Sequence, residues 1–174
     1  MPAPTLNNPA LAQRIVIGVG DFAAANNPNA ILSTFALGSC LGVVALDPAI
    51  KAAGLLHCML PDSSMDEEKA KDRPAMFTDS GFKLLMRNML GLGARVHRLR
   101  FVVAGGASNF GDQDFFRIGP RNLETLDKIM ETYSFNVIHR FTGGTINRTL
   151  HFNLTTGVLQ LKTPQGLSDH NCYD

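Results

Sequence analysis

The chain has 174 residues, of which 45% are hydrophobic and 18% charged, and its formal net charge is +1. A chain of that length buries roughly two-thirds of the surface it exposes when unfolded, enough for one domain with a core that needs no staples. Balanced charge argues against a protein that tracks nucleic-acid phosphates, which carries a basic excess, and leaves small molecules and other proteins as ligands.

Residues 1–13 are rich in Pro, Asn and Ala and read as a flexible N-terminal arm. They lack a basic stretch leading into an apolar one, so no secretory signal is read there. No run approaches the ~20 apolar residues of a membrane span, and the chain reads as cytoplasmic and not membrane-inserted. RIVIGVG (14–20) predicts a strand and NNPNA (26–30) a loop. ILSTFA (31–36) and LGVVALD (41–47) are β-leaning runs separated by Leu37-Gly38-Ser39-Cys40, and AAGLLHCMLP (52–61) is a third, closed by Pro61. DSSMDEEKAKDRP (62–74) is the most charged stretch and reads as an exposed loop.

The period then changes. Phe82, Leu85, Met86, Met89 and Leu90 fall on one face of an amphipathic helix, with Thr78 or Asp79 suited to cap its start and Gly91 and Gly93 to end it. LRFVVAGGA (99–107) is a buried strand running into glycines. GPRNLETLDKIMETY (119–133) predicts a second helix, with Pro120 in its first turn and Leu123, Leu126, Met130 and Tyr133 along one face. FNVIHRFTGG (135–144) is a strand, and RTLHFNLTTGVLQLK (148–162) a hairpin turning at Thr155-Thr156-Gly157. Residues 164–174 read as an irregular C-terminal tail. About seven strands and two helices in this order predict one α+β domain over 14–163, a layered sandwich of mainly antiparallel β-sheet with two main helices packed on sheet faces.

Three cysteines without a CxxC pair argue against a disulfide framework and a cysteine-rich zinc site, and favour a reducing compartment. Cys40 stands behind a Gly-Ser turn and ahead of a buried strand. A cysteine nucleophile needs a base within reach and donors for the oxyanion it creates. The Gly38-Ser39 turn supplies converging backbone N–H groups, and His57 reaches Cys40 if their strands are antiparallel neighbours. Alternation sets His57 and Cys58 on opposite faces, so Cys58 reads as core. Cys172 reads as incidental. Thr34 offers a hydroxyl that would orient the imidazole. A buried, purely structural Cys40 is the competing reading, since free cysteine is often core.

Other constellations are weaker. GVGD, AGGAS and TGGT lack the lysine of a phosphate loop and the spacing of a dinucleotide fingerprint, and read as turns. His97, His139, His151 and His170 lie on separate elements with no paired spacing for zinc. Asp112 and Asp114 read as a solvated loop.

TFALGSCLGVVALDP…GLLHCMLP, followed by VAGGAS, IGPRN and GGTINRTLHFNLTTGVLQLK, resembles the chemoreceptor glutamine deamidase family, CheD, over residues 15–162. The resemblance implies hydrolysis of particular glutamine side-chain amides on the helical cytoplasmic domain of chemoreceptors, at chemoreceptor arrays. It implies Cys40 as nucleophile, His57 as base and acid, and Thr34 as the residue orienting the imidazole, without metal or organic cofactor. It also implies an active site similar to that of cysteine hydrolases of the cytotoxic necrotizing factor type, and, as in several members, a CheC-type phosphatase as partner. Arg121 and Asn122 read either as docking the second helix or as supporting the active-site wall. The deamidase reading expects a thiol with a depressed pKa. Two alternatives are a non-catalytic binding partner of a CheC-type phosphatase or of receptors, whose thiol would have no such need, and a thiol hydrolase for small molecules.

Overall fold

The computed structural model describes residues 12–108 and 114–174. In chain order its elements are β1 (Gln13–Val16), β2 (Asp21–Ala25), β3 (Ala30–Leu37), β4 (Leu41–Asp47), β5 (Ala52–Cys58), α1 (Glu67–Asp72), α2 (Thr78–Gly91), β6 (Arg100–Gly105), α3 (Ile118–Thr132), β7 (Asn136–Thr142), β8 (Arg148–Asn153), β9 (Val158–Thr163) and β10 (Gly166–Asn171). The strands form two five-stranded sheets, ordered β1-β3-β8-β9-β10 and β2-β5-β4-β6-β7. Pairing is antiparallel except for β1 with β3 and β6 with β7.

Three layers result. β4 and β5 are buried along their whole length, which is why they read as unbroken apolar runs rather than alternating ones. Their Val44, Leu46, Ala53 and Leu55 meet Leu32, Leu150, Phe152 and Leu159 of the first sheet. On the other face Val43, Ala45, Leu56, Phe101 and Val103 pack under Phe82, Leu85 and Met89 of α2 and Leu126 and Met130 of α3. The α+β sandwich expected from the sequence is thus present, with both main helices on one face of the second sheet.

Several local expectations change. The charged stretch 62–74 is exposed but helical in two short turns, because Asp62 accepts from Ser64 N and Asp66 from Lys69 N, each carboxylate capping a turn. Neither Thr78 nor Asp79 caps α2. The Thr78 hydroxyl donates to Leu60 O, and the Asp79 carboxylate accepts from the backbone and hydroxyl of Ser63, tying the helix start to the preceding loop. Leu90 and Tyr133 are exposed at the helix ends.

Residues 166–171 are not irregular: they form β10, antiparallel to β9. An edge strand exposed on both faces needs no apolar alternation, so its sequence carries no strand signal. The two residues beyond its end anchor it, with Cys172 buried in the core and the Tyr173 hydroxyl donating to Leu154 O at 2.6 Å. Cys172 is therefore a packing residue. Of the expected N-terminal arm, residues 1–11 lie outside the described residues, as does Asp112, and Gln13 already belongs to β1.

Candidate active site

β3 turns into β4 through Gly38-Ser39-Cys40, and the two strands belong to different sheets. β4 then runs antiparallel to β5 with Gly42 opposite His57. Opposite residues share a face, so His57 faces the first sheet with Gly42, and Cys40, in the turn two residues before Gly42, packs against the core on that same side. Cys58 faces the helices, where its sulfur lies 3.4 Å from the Thr78 hydroxyl oxygen. Cys58 is core, as expected.

Thr34 comes to the same place from the first sheet. The β3–β8 register pairs Thr34 with Leu150 and Leu37 with Arg148, three residues against two, and Ala36 takes up the extra one at φ 55°. This bulge turns Phe35 and Ala36 outward while both Thr34 and Leu37 point inward. Without it, one of the two would face solvent.

The Thr34 hydroxyl oxygen lies 2.7 Å from Ile17 O and 2.7 Å from His57 Nδ1. A hydroxyl has one proton and a carbonyl only accepts, so that proton goes to Ile17 O. The hydroxyl lone pair then receives a proton from Nδ1. This fixes the tautomer: Nδ1 carries the hydrogen, and Nε2 is a bare lone pair. Among the described residues, the buried side-chain polar atoms without a partner are His57 Nε2 and Asn122 Oδ1.

Burial pushes the Cys40 thiol above its usual range, opposed by the residue's own backbone N–H. Burial also brings His57, 1% exposed, down to about 4. At neutral pH the pair is therefore thiol and neutral imidazole, not thiolate and imidazolium, which corrects the expectation of a depressed cysteine. Burial disfavours both charges, and the neutral ring is the form that acts as a base. Cys58 and Cys172 are pushed up to about 12 and about 11, also by burial.

The buried ring makes stability depend on pH. The ordinary His57 value of 6.5 falls to about 4 on folding. Between those limits the unfolded chain binds a proton that the folded protein refuses. Stability is thus fully present above 6.5 and declines as the pH drops toward 4. The slope reaches up to about 1.4 kcal/mol per pH unit. Denaturant melts across that window should show this slope as the difference between wild type and His57→Gln; parallel curves would refute the buried neutral ring.

The turn is held from beyond β6. Gly38 O accepts from Ala107 N at 2.9 Å, Ser39 O from Asn122 Nδ2 at 3.0 Å, and Cys40 O from Gly106 N at 3.0 Å. Gly105 sits at φ 102°, where a Cβ would lie 2.0 Å from Cys40 O, so only glycine lets the two backbones approach. Asn122 also donates to Met59 O at 3.0 Å and is fully buried. Arg121 is half-buried and points elsewhere, with its guanidinium 3.3 Å from Phe116 O and 3.7 Å from Met65 Sδ. Sequence reasoning missed the Ile17 carbonyl and Gly105. The paired glycines of VAGGAS were a signal for the second, whereas a backbone carbonyl leaves none.

Comparison with known proteins agrees on one family. Residues 59–163 match the family model described as CheD chemotactic sensory transduction. The chain is similar to a probable chemoreceptor glutamine deamidase CheD 1 of Syntrophus aciditrophicus, 41% identical over 152 residues, which are 87% of this chain and 95% of the relative. It is similar to the chemoreceptor glutamine deamidase CheD of Thermotoga maritima, at 36% over 151 residues, 87% of this chain and 92% of the relative. A probable CheD of Pyrococcus abyssi is 33% identical over 154 residues, with 87% and 93% covered.

Proposed function

This chain belongs to the CheD family, and from that premise we propose that Cys40 and His57 are the nucleophile and the base with which it deamidates glutamines. The chain is a chemoreceptor glutamine deamidase, a hydrolase of protein side-chain amides acting in chemotaxis. One observation carries the proposed roles: His57 is held by Thr34 with Nε2 bare, on the face that Cys40 shares.

The steps derive from that arrangement. As Cys40 Sγ attacks the glutamine Cδ, Nε2 takes the thiol proton, so a thiolate need not accumulate first. The amide oxygen becomes an oxyanion facing the backbone N–H groups of the Gly38-Ser39-Cys40 turn. The imidazolium returns its proton to the departing ammonia, leaving a γ-glutamyl thioester on Cys40. Water then attacks with Nε2 again as base, and glutamate and the free thiol are released. The Thr34 hydroxyl holds the Nδ1 proton through both halves.

The substrate surface proposed is the helical cytoplasmic domain of chemoreceptors, which would place the protein at receptor arrays. No helix among the described residues is long and apolar enough to cross a membrane. Family resemblance also supports a CheC-type phosphatase as partner and a likeness to hydrolases of the cytotoxic necrotizing factor type. Acid-quenching a reaction with a purified receptor cytoplasmic domain tests the nucleophile. The expected result is a hydroxylamine-sensitive receptor adduct on Cys40, together with glutamines converted to glutamate. Conversion with no adduct under any quench, and Cys40 dispensable, would overturn the assignment.

A further inference from the structure

Three successive carbonyls of the nucleophile turn, those of Gly38, Ser39 and Cys40, each accept a hydrogen bond. Two of the donors are backbone N–H groups just past β6. The third is a side chain, the carboxamide of Asn122 in the first half of α3. Peptide units here are trans, with no cis bond among the described residues, so each C=O and the N–H of the next residue point in opposite directions. Pinning the Ser39 carbonyl toward α3 therefore turns the Cys40 N–H the other way, away from α3. Among the described residues, neither Ser39 N nor Cys40 N donates to a backbone carbonyl.

We propose that Asn122 is a positioning residue, which aims the Cys40 backbone N–H at the oxyanion by holding the carbonyl of the same peptide. The inference rests on the Cys40–His57 reading and deepens it. Hydrogen bonding to a peptide oxygen also polarises the unit, strengthening its N–H as a donor. The same amino group holds Met59 O, two residues beyond His57, so one side chain ties the nucleophile's turn to the end of the base's strand. α3 comes close enough because residue 119 is glycine: a Cβ there would stand 2.3 Å from Ala107 O. The clamp is thus built from residues on four segments, and only Asn122 contributes through a side chain that can be changed.

The test separates attack on an amide from attack on an alkyl halide. Iodoacetamide reacts with Cys40 by displacing iodide and builds no oxyanion, so it reads thiol and access alone. Asn122→Ala is expected to lower kcat for receptor deamidation about 10²-fold or more, with KM and the alkylation rate of Cys40 in mild alkali within about twofold. Unchanged kcat would overturn the proposal. A parallel fall in alkylation would also overturn it, since the turn itself would then have collapsed. Failure of the underlying nucleophile reading looks different, because wild type would then form no thioester. If Asn122→Ala does not fold, Asn122→Asp serves: its buried carboxyl, facing carbonyl oxygens, donates only while protonated. Deamidation by that variant should fade as the pH rises through the new carboxyl's ionisation while wild type holds, and a profile parallel to wild type would refute the clamp.

Discussion

Cys40→Ala and His57→Gln should each reduce glutamine deamidation by at least about 10⁴-fold, and the double variant should be no worse than either single one. In the proposed roles the two act as one unit: without the thiol the base has no proton to take, and without the base the thiol stays protonated because burial raises its pKa. Glutamine is chosen at 57 because its amide still donates toward Thr34 while offering no nitrogen lone pair at the Nε2 position. In the proposed mechanism His57 also delivers the proton that lets ammonia leave, so its loss should block both halves of the reaction. Ammonia release and mass spectrometry of the receptor glutamines measure the effect, with thermal melts to show that the sandwich persists. The other thiols are built-in controls, since Cys58 and Cys172 are buried with high pKa values and should resist alkylation in every variant. Activity of His57→Gln within about tenfold of wild type would remove His57 from the mechanism.

Thr34→Val should lower kcat about 10²-fold or more, while Thr34→Ser stays close to wild type. Valine keeps the shape and β-branching of threonine, so the bulge and the strand survive. What disappears is the acceptor that holds the proton on Nδ1. The ring is then free to place its hydrogen on Nε2, where it cannot accept from Cys40. The Ile17 carbonyl also loses its donor, and the melt should record about 1–3 kcal/mol of destabilisation for that buried acceptor. Serine restores both bonds. A valine variant as fast as wild type would mean that the tautomer is set by something other than the Thr34–Ile17 contact.

How much of this was legible depends on which features are local. β4 and β5 stood out because strands buried on both faces are apolar without interruption, and a two-residue period sufficed to separate His57 from Cys58. Thr34, Cys40 and His57 were placed by their order and spacing together with the family resemblance. β2 was missed because Asp-Phe-Ala-Ala-Ala has no strand preference of its own, and pairing with β5 supplies what the side chains do not. The bulge at Ala36 has no glycine or asparagine to announce its positive φ. The charge states were misread for a different reason: a sequence shows a histidine and a cysteine, but not that the first is buried and the second half-buried. Asn122 could only be given two readings, because a helix residue's partners lie on other segments, here Ser39 and Met59.

The Ile17 carbonyl that takes the Thr34 proton comes directly after β1, a four-residue, largely exposed strand at the margin of its sheet, held by pairing with β3. Margins of this kind open well before the interior does. Ile17 itself is buried and its N–H donates to Ser33 O, so opening of β1 reaches the site only by pulling on this residue; the Thr34 hydroxyl would then lose the acceptor that orients it and with it the hold on the Nδ1 proton. The carbonyl that orients the proposed base is thus tethered to the least buried strand of its sheet's N-terminal side, and the site's geometry depends on how firmly that strand is anchored and not only on the stability of the whole.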